Sequence, residues 1–243
     1  MPILTRAADA IVSWTDERHG PLPALLLVLT MVTGMIDAVS YLALDHVFVA
    51  NMTGNVVFLG FAVAGAQNFS LPIHLVAIAA FLAGALAGGR LGSSVAHHRG
   101  RFLAIATYIQ MAVLGAALVI TTVVLDADGA PGRYALIVLL ALAMGMQTAT
   151  ARRLGVPGLA TTVLTTTLAG LAADSTLAGG KNSNARRPLL ATASMSLGAA
   201  VGAFLILHVG ISAILAVVLV LLGLIAISSY RLSSSSDAWT KGI

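Results

Sequence analysis

Apolar residues fill this chain in runs of membrane length, and the few polar positions inside them recur. Six runs reach the roughly 20 apolar residues a helix needs to cross a bilayer: 22–44, 72–95, 102–125, 133–151, 188–207 and 209–229. The last two part only around His208, where Gly210 is available for a tight turn. Two further apolar stretches, 47–66 and 156–178, are interrupted by polar side chains. The first holds Asn51-Met52-Thr53-Gly54-Asn55; the second holds Thr161-Thr162-Val163-Leu164-Thr165-Thr166-Thr167. An unsatisfied polar group in hydrocarbon costs several kcal/mol, so each run calls for a physical reason.

The two runs belong to a larger correspondence. Gly34-Met35-Ile36-Asp37 pairs with Gly145-Met146-Gln147-Thr148 at an offset of 111, and Thr53 pairs with Thr165 at 112. Gly84 and Gly88 pair with Gly198 and Gly202 at 114. The glycine pairs are small-xxx-small patterns that let helices approach closely in lipid. Glycine spacing alone recurs by chance in a glycine-rich membrane protein, but three anchors in order are more specific. A polar device repeated in two halves is a sequence pointer to a transport site.

Charge placement bears on which stretches cross. Basic residues favour the cytoplasmic side. If all eight stretches span, with the N-terminus inside, the loops with Arg99 and Arg101 and with Arg152 and Arg153 fall outside. If 47–66 and 156–178 dip in and return, those clusters join Arg6, Arg18, Lys181, Arg186, Arg187, Arg231 and Lys241 on one side. The other side keeps Asp45, His46, Asp126, Asp128 and Arg133. That asymmetry predicts an all-α polytopic membrane protein of six transmembrane helices plus two re-entrant half-helices. Lengths agree for the first dip: an extended Val47–Met52 covers roughly 20 Å at about 3.3 Å per residue. A helix over Thr53–Ala66 covers about 21 Å at 1.5 Å per residue. Each element is expected to reach past the midplane of a core about 30 Å thick. In the second, Gly155-Val156-Pro157-Gly158 breaks the preceding helix, and a helical run is expected from about Val163 to Ala178. Three crossings per half invert the second half, giving an inverted 3+3 repeat. The expected organisation is a cytoplasmic segment 1–21, one membrane domain over 22–229 (repeats 22–125 and 133–229) and a cytoplasmic tail 230–243. In the N-terminal segment Ala7, Ala8, Ile11, Val12 and Trp14 fit one apolar face of a surface helix, a partly frayed tail being the equal alternative, and no signal peptide is recognisable there.

Two re-entrant helices entering from opposite faces bring their N-termini together. Such ends carry unpaired N–H groups and partial positive charge, so they accept an anion, a carboxylate or a polar neutral solute. Asn51 and Thr53 suit the cap of the first, Thr161 and Thr162 that of the second. The expected solute contacts are Asn51, Thr53, Gly54, Asn55, Thr161, Thr162 and Thr165. A plainer reading is that these side chains only cap buried helix ends. Asp37 is the carboxylate inside a span, about 22 Å along its helix from Leu22. It either couples a proton or braces the loop by accepting from backbone N–H groups or from Asn51 and Asn55. Ser40 and Tyr41 lie within one turn; Tyr108, Gln110 and Gln147 are secondary candidates for a polar path.

Composition narrows the class. Of 243 residues, 58% are hydrophobic and 9% charged, against about a quarter charged in soluble domains. The net charge of +4 comes from segment ends, as topology requires, and is no nucleic-acid signal. The absence of cysteine excludes disulfides and thiolate metal sites. No zinc-protease motif, serine elbow, second intramembrane acid or Walker motif is present. No enzyme activity, metal or cofactor is therefore expected.

The run Gly-Met-Ile-Asp-Ala-Val-Ser-Tyr-Leu (34–42), followed by Val-Phe-Val-Ala-Asn-Met-Thr-Gly-Asn (47–55), resembles the YoaK-like family of bacterial inner-membrane proteins. Thr-Thr-Val-Leu-Thr (161–165) resembles that family's second motif, although the family often has glycine where this chain has Thr166. The resemblance covers nearly the whole chain. It implies a bacterial inner-membrane protein of six helices and supplies no function, the family being defined as a domain of unknown function. The expectation is a small-solute transporter or channel with a midplane polar or anion-accepting site and both termini cytoplasmic. Its partners are the bilayer and a small polar or anionic solute, with homodimerisation an option for so small a chain. The alternative is a non-transporting scaffold or accessory subunit.

Overall fold

The computed structural model describes residues 19–95, 97–123, 129–159, 164–180, 186–234 and 237–241. The described elements are helical: α1 (Leu22–Ala43), α2 (Met52–Val63), α3 (Leu71–Val95), α4 (Arg99–Val123), α5 (Ala130–Leu154), α6 (Leu164–Ala173), α7 (Arg186–His208) and α8 (Ile211–Leu232). Short 3₁₀ turns follow at Thr176–Ala178 and Ala238–Thr240. All but α2 and α6 are long and apolar enough to cross a bilayer. Their 22 to 25 residues amount to about 33–38 Å of helix. The six predicted spans agree with these bounds to within three residues at every end. The N-terminal surface helix expected around Ala7–Trp14 lies outside the described residues.

Local chemistry sets the ends. Pro23, Pro72, Pro131 and Pro188 stand in the first turns of α1, α3, α5 and α7, where the missing N–H costs nothing. α5 stops at Gly155, whose φ of 62° is the left-handed conformation glycine adopts without strain. Arg152 and Arg153 in its last turn complement the helix dipole. Within the spans, Thr30, Thr33, Thr107 and Thr150 donate to carbonyls four residues back, which satisfies their hydroxyls inside an apolar sequence.

The closest helix contacts come in matched pairs. α1 packs most extensively on α7, and α3 on α5. A Cβ at Gly34 would lie 2.2 Å from the Met195 carbonyl oxygen; one at Gly145 would lie 2.0 Å from that of Phe81. Gly198 abuts Met31 and Gly84 abuts Leu142, with Cβ distances of 2.0 and 2.1 Å to the carbonyl oxygens. The remaining contacts follow suit: α1 on α8 matches α5 on α4, α2 on α3 matches α6 on α7, and α4 packs on α8. The first long helix of each half thus lies against the second long helix of the other. Glycine is required at these crossings because backbone meets backbone.

Three polar clusters tie helix ends and centres. Arg99, at the start of α4, donates to the Leu154 carbonyl at the end of α5 and to the Trp239 carbonyl of the tail at 3.5 Å. It also meets His19 Nδ1, ahead of α1, at 3.4 Å. The Trp239 ring covers Gly20, where a Cβ would lie 2.6 Å away, and His98 bridges to Lys241. The tail therefore folds back on the bundle. On another set of ends, Arg133 of α5 forms an ion pair with Asp45, just past α1. In the interior, Gln110 Nε2 donates to Gln147 Oε1 at 2.7 Å, and Gln147 Nε2 donates to the Leu29 carbonyl (3.1 Å) and Thr33 Oγ1 (2.8 Å). This network joins α4, α5 and α1.

Candidate functional site

The segment between α1 and α2 is built around Asp37. After α1 the chain turns through Asp45 and His46, both left-handed at φ 60° and 56°, a conformation that Asp and His tolerate better than most side chains. The chain then runs back along α1. Asp37 Oδ1 accepts from the N–H of Ala50 at 2.9 Å and of Val49 at 3.3 Å. The carboxylate is buried at 6% exposure. Its Oδ2 has no hydrogen-bond partner among the described residues. Of the two roles expected for Asp37, the backbone brace is thus made with one oxygen while the other is left over. Asn51 and Asn55 side chains take no part in that brace.

A second clamp holds the neighbouring residue. Asn55 Oδ1 accepts from the Phe48 N–H at 2.9 Å, and Asn55 Nδ2 donates to the Phe48 carbonyl at 2.5 Å. His74 Nδ1, on α3, lies 3.3 Å from the same Oδ1. Since Oδ1 is an acceptor, the bond requires the Nδ1–H form of His74. Its Nε2 is then an acceptor, buried and unpartnered among the described residues. Gly54 lets the Phe48 ring lie over the start of α2, where a Cβ would come within 2.6 Å of it. Tyr41 stacks on Phe48 at 5.0 Å, and Phe58, Phe61 and Phe69 continue the aromatic packing. Three consecutive residues, Phe48 to Ala50, are therefore fixed by side chains from α1 and α2, with α3 holding Asn55.

Several expectations change. Asn51 takes the cap position of α2 with no side-chain cap bond, and Asn51 and Thr53 are exposed. Asn55 is fully buried, with both ends of its amide bonded to the Phe48 main chain, so it is a brace and not a solute contact. Gly54 serves the packing of Phe48. Thr165 is exposed on α6, while Thr161 and Thr162 lie outside the described residues. Asp37 stands six residues before the end of α1, so the tip at Ala50 lies about 9 Å from that end. Tyr108 is 46% exposed and lines no interior path; Gln110 and Gln147 are bonded to each other. Sequence reasoning passed over His74, although an ionisable residue in an apolar span is itself a signal.

Above the clamp lies a cavity of about 430 Å³ lined by Asp45, His46, Asn68, Phe69 and Ser70. Among the described residues, the non-glycine residues with positive φ, Asp45, His46 and Asn68, all line it. Local strain gathered at one cavity is a feature of functional sites.

UPF0700 transmembrane protein YoaK of Bacillus subtilis (strain 168) is 33% identical to this chain over 150 residues, 62% of this chain. The match spans 65% of that relative's length. No solved structure matches the chain. The fold and this relative make the chain a multi-pass membrane protein. The family described as "Protein of unknown function (DUF1275)" matches residues 25–228, and the chain belongs to that family.

Proposed function

We propose that this protein is a small-solute transporter or channel of the bacterial inner membrane, built as an inverted 3+3 repeat with α2 and α6 as re-entrant half-helices. One observation carries the reading: the parity of crossings between helix ends that touch. His19, Arg99, the end of α5 and Trp239 form one cluster. From His19 to Arg99 the chain passes α1, α2 and α3. From Leu154 to Trp239 it passes α6, α7 and α8. Ends on one face require an even number of crossings, and α1, α3, α7 and α8 have the length to cross. Hence α2 and α6 return to the face they left. Asp45 and Arg133, separated by α2, α3 and α4, obey the same rule. The lengths concur: α2 and α6, at 12 and 10 residues, cover about 18 and 15 Å against a core of about 30 Å.

Matched contacts at offsets of 111 and 114 support the two-fold relation between the halves. With the basic ends cytoplasmic, the His19 cluster faces inward and the Asp45 cavity outward. The exposed starts of α2 and α6, with Asn51, Thr53 and Thr165, are where a polar solute would find unpaired helix N–H groups. The first start lies in the outer half of the membrane.

Uptake into proteoliposomes across small anions and neutral metabolites tests this. Substituting Thr53 and Thr165 together by valine is expected to abolish flux of the active solute while the protein elutes and unfolds as wild type. Unchanged flux in that folded variant would remove these residues from the site. No flux for any solute, together with a stable co-purifying subunit, would favour the scaffold reading.

A further inference from the structure

We propose that Asp37 is a proton-operated clamp on the first re-entrant element: a proton taken up at Oδ2 loosens its hold on Val49 and Ala50. This rests on the re-entrant reading of α2 and names what would move it.

Asp37 Oδ1 holds two consecutive backbone amides that immediately precede the α2 cap. Oδ2 is buried and unmatched among the described residues. Hydrogen bonds to an ionised acceptor are about twice as strong as those to a neutral one. The same carboxylate in low dielectric is costly while one oxygen is unsatisfied. These two effects oppose each other. The ionised form grips the segment tightly, and the protonated form relieves the buried charge but grips weakly. Protonation is a simple transfer: hydronium gives up one O–H bond as the proton joins Oδ2 and leaves neutral water behind, and deprotonation reverses both changes. A metal ion is the poorer occupant, because no group of three His, Cys, Asp or Glu gathers among the described residues.

The surroundings supply no competing charge at that depth. On α1 itself only Tyr41 follows, in its last turn; Asp45 and His46 come in the turn just past it, and Asp45 is paired with Arg133. On the helices packed against α1, the charged and titratable side chains stand at the ends: Arg133, Tyr134, Arg152 and Arg153 on α5, Arg186, Arg187 and His208 on α7, and Tyr230 and Arg231 on α8. His74 reaches the segment only through Asn55. The second half has Thr148 at the Asp37 position, so the proton would act on one re-entrant element and not on its counterpart.

The test needs no solute. Ala50→Cys, in this cysteine-free chain, places a thiol at a site that is 2% exposed. Its labelling by a soluble maleimide reports opening of the segment. Rates are normalised to Gln67→Cys, an exposed position, which corrects for the thiol's own pH dependence. Acidifying from neutral to mildly acid buffer is expected to raise the normalised rate roughly tenfold, the order expected when two charge-assisted bonds become neutral ones. Asp37→Asn should label fast at both pH values. His74→Gln should keep the pH response. A pH-independent rate in the Asp37 protein, a response that survives in Asp37→Asn, or one lost in His74→Gln overturns the proposal. Should Asp37→Asn not fold, infrared difference spectra of the wild type decide: a buried protonated carboxyl band that grows with acid supports the clamp, and its absence refutes it. A pH-gated segment with no flux in any uptake assay would sink the transport reading and leave the clamp standing.

Discussion

Replacing Asp37 by leucine is expected to destabilise the protein by about 3 kcal/mol, while asparagine costs about 1 kcal/mol. Leucine removes the acceptor of the Val49 and Ala50 N–H groups. Each buried amide left unsatisfied costs about 1–3 kcal/mol. Part is returned, because leucine also removes a buried carboxylate oxygen that has no partner. Asparagine keeps a carbonyl acceptor for these amides, loses the charge and puts an NH2 group where Oδ2 has no partner. Unfolding in mixed micelles with a denaturing detergent measures both values. Amide exchange should rise at Val49 and Ala50 in the leucine variant ahead of α1 itself. Equal costs for the two substitutions would show that the bond to these amides is not what Asp37 contributes.

The second large effect is at the helix crossings. Gly145→Ala is expected to cost about 2–3 kcal/mol although alanine is the better helix former. A Cβ there would meet the Phe81 carbonyl oxygen at 2.0 Å, and backbone cannot step aside as a flexible side chain can. α3 and α5 would have to separate, and the loss of contact would spread along both. Gly34→Ala, against the Met195 carbonyl oxygen at 2.2 Å, should cost a similar amount, because its contact is the counterpart in the other half. Gly115 on α4 has nothing within 4 Å of the same construction. Gly115→Ala should therefore be neutral, or stabilising by up to about 1 kcal/mol. Detergent unfolding of the three variants checks this, and indistinguishable costs would contradict close packing at Gly34 and Gly145.

Much of the fold was legible because membrane spans announce themselves locally. Twenty apolar residues and a proline in the first turn need no tertiary information, and the six spans follow. Glycines 84, 88, 198 and 202 were legible as close-packing positions, and the repeat offsets already implied two halves, but Gly34 and Gly145 read only as anchors of the repeat. Their partners were not, since a spacing does not say that α1 crosses α7 rather than α3. The site was legible in part. Asp37 stands out as an acid in an apolar run, and bracing by backbone N–H groups was one of its two expected roles. The partners of Asn55 were hidden, because pairing with Phe48 and His74 depends on how the chain turns at Asp45 and His46. The tail was least legible: Trp239 meets Gly20 and Arg99 across more than a hundred residues of chain, and no local pattern encodes that contact.

The central claim is that α2 and α6 each return to the face they leave, one from each side. Two single cysteines test it most directly: Gln67→Cys in the turn after α2 and Leu177→Cys in the turn after α6, both exposed. In intact cells, a membrane-impermeant maleimide should label Gln67→Cys, and should reach Leu177→Cys only after the membrane is opened. Protection of Gln67→Cys in intact cells, or labelling of Leu177→Cys there, would mean that the corresponding element crosses, and the two-fold account would fail.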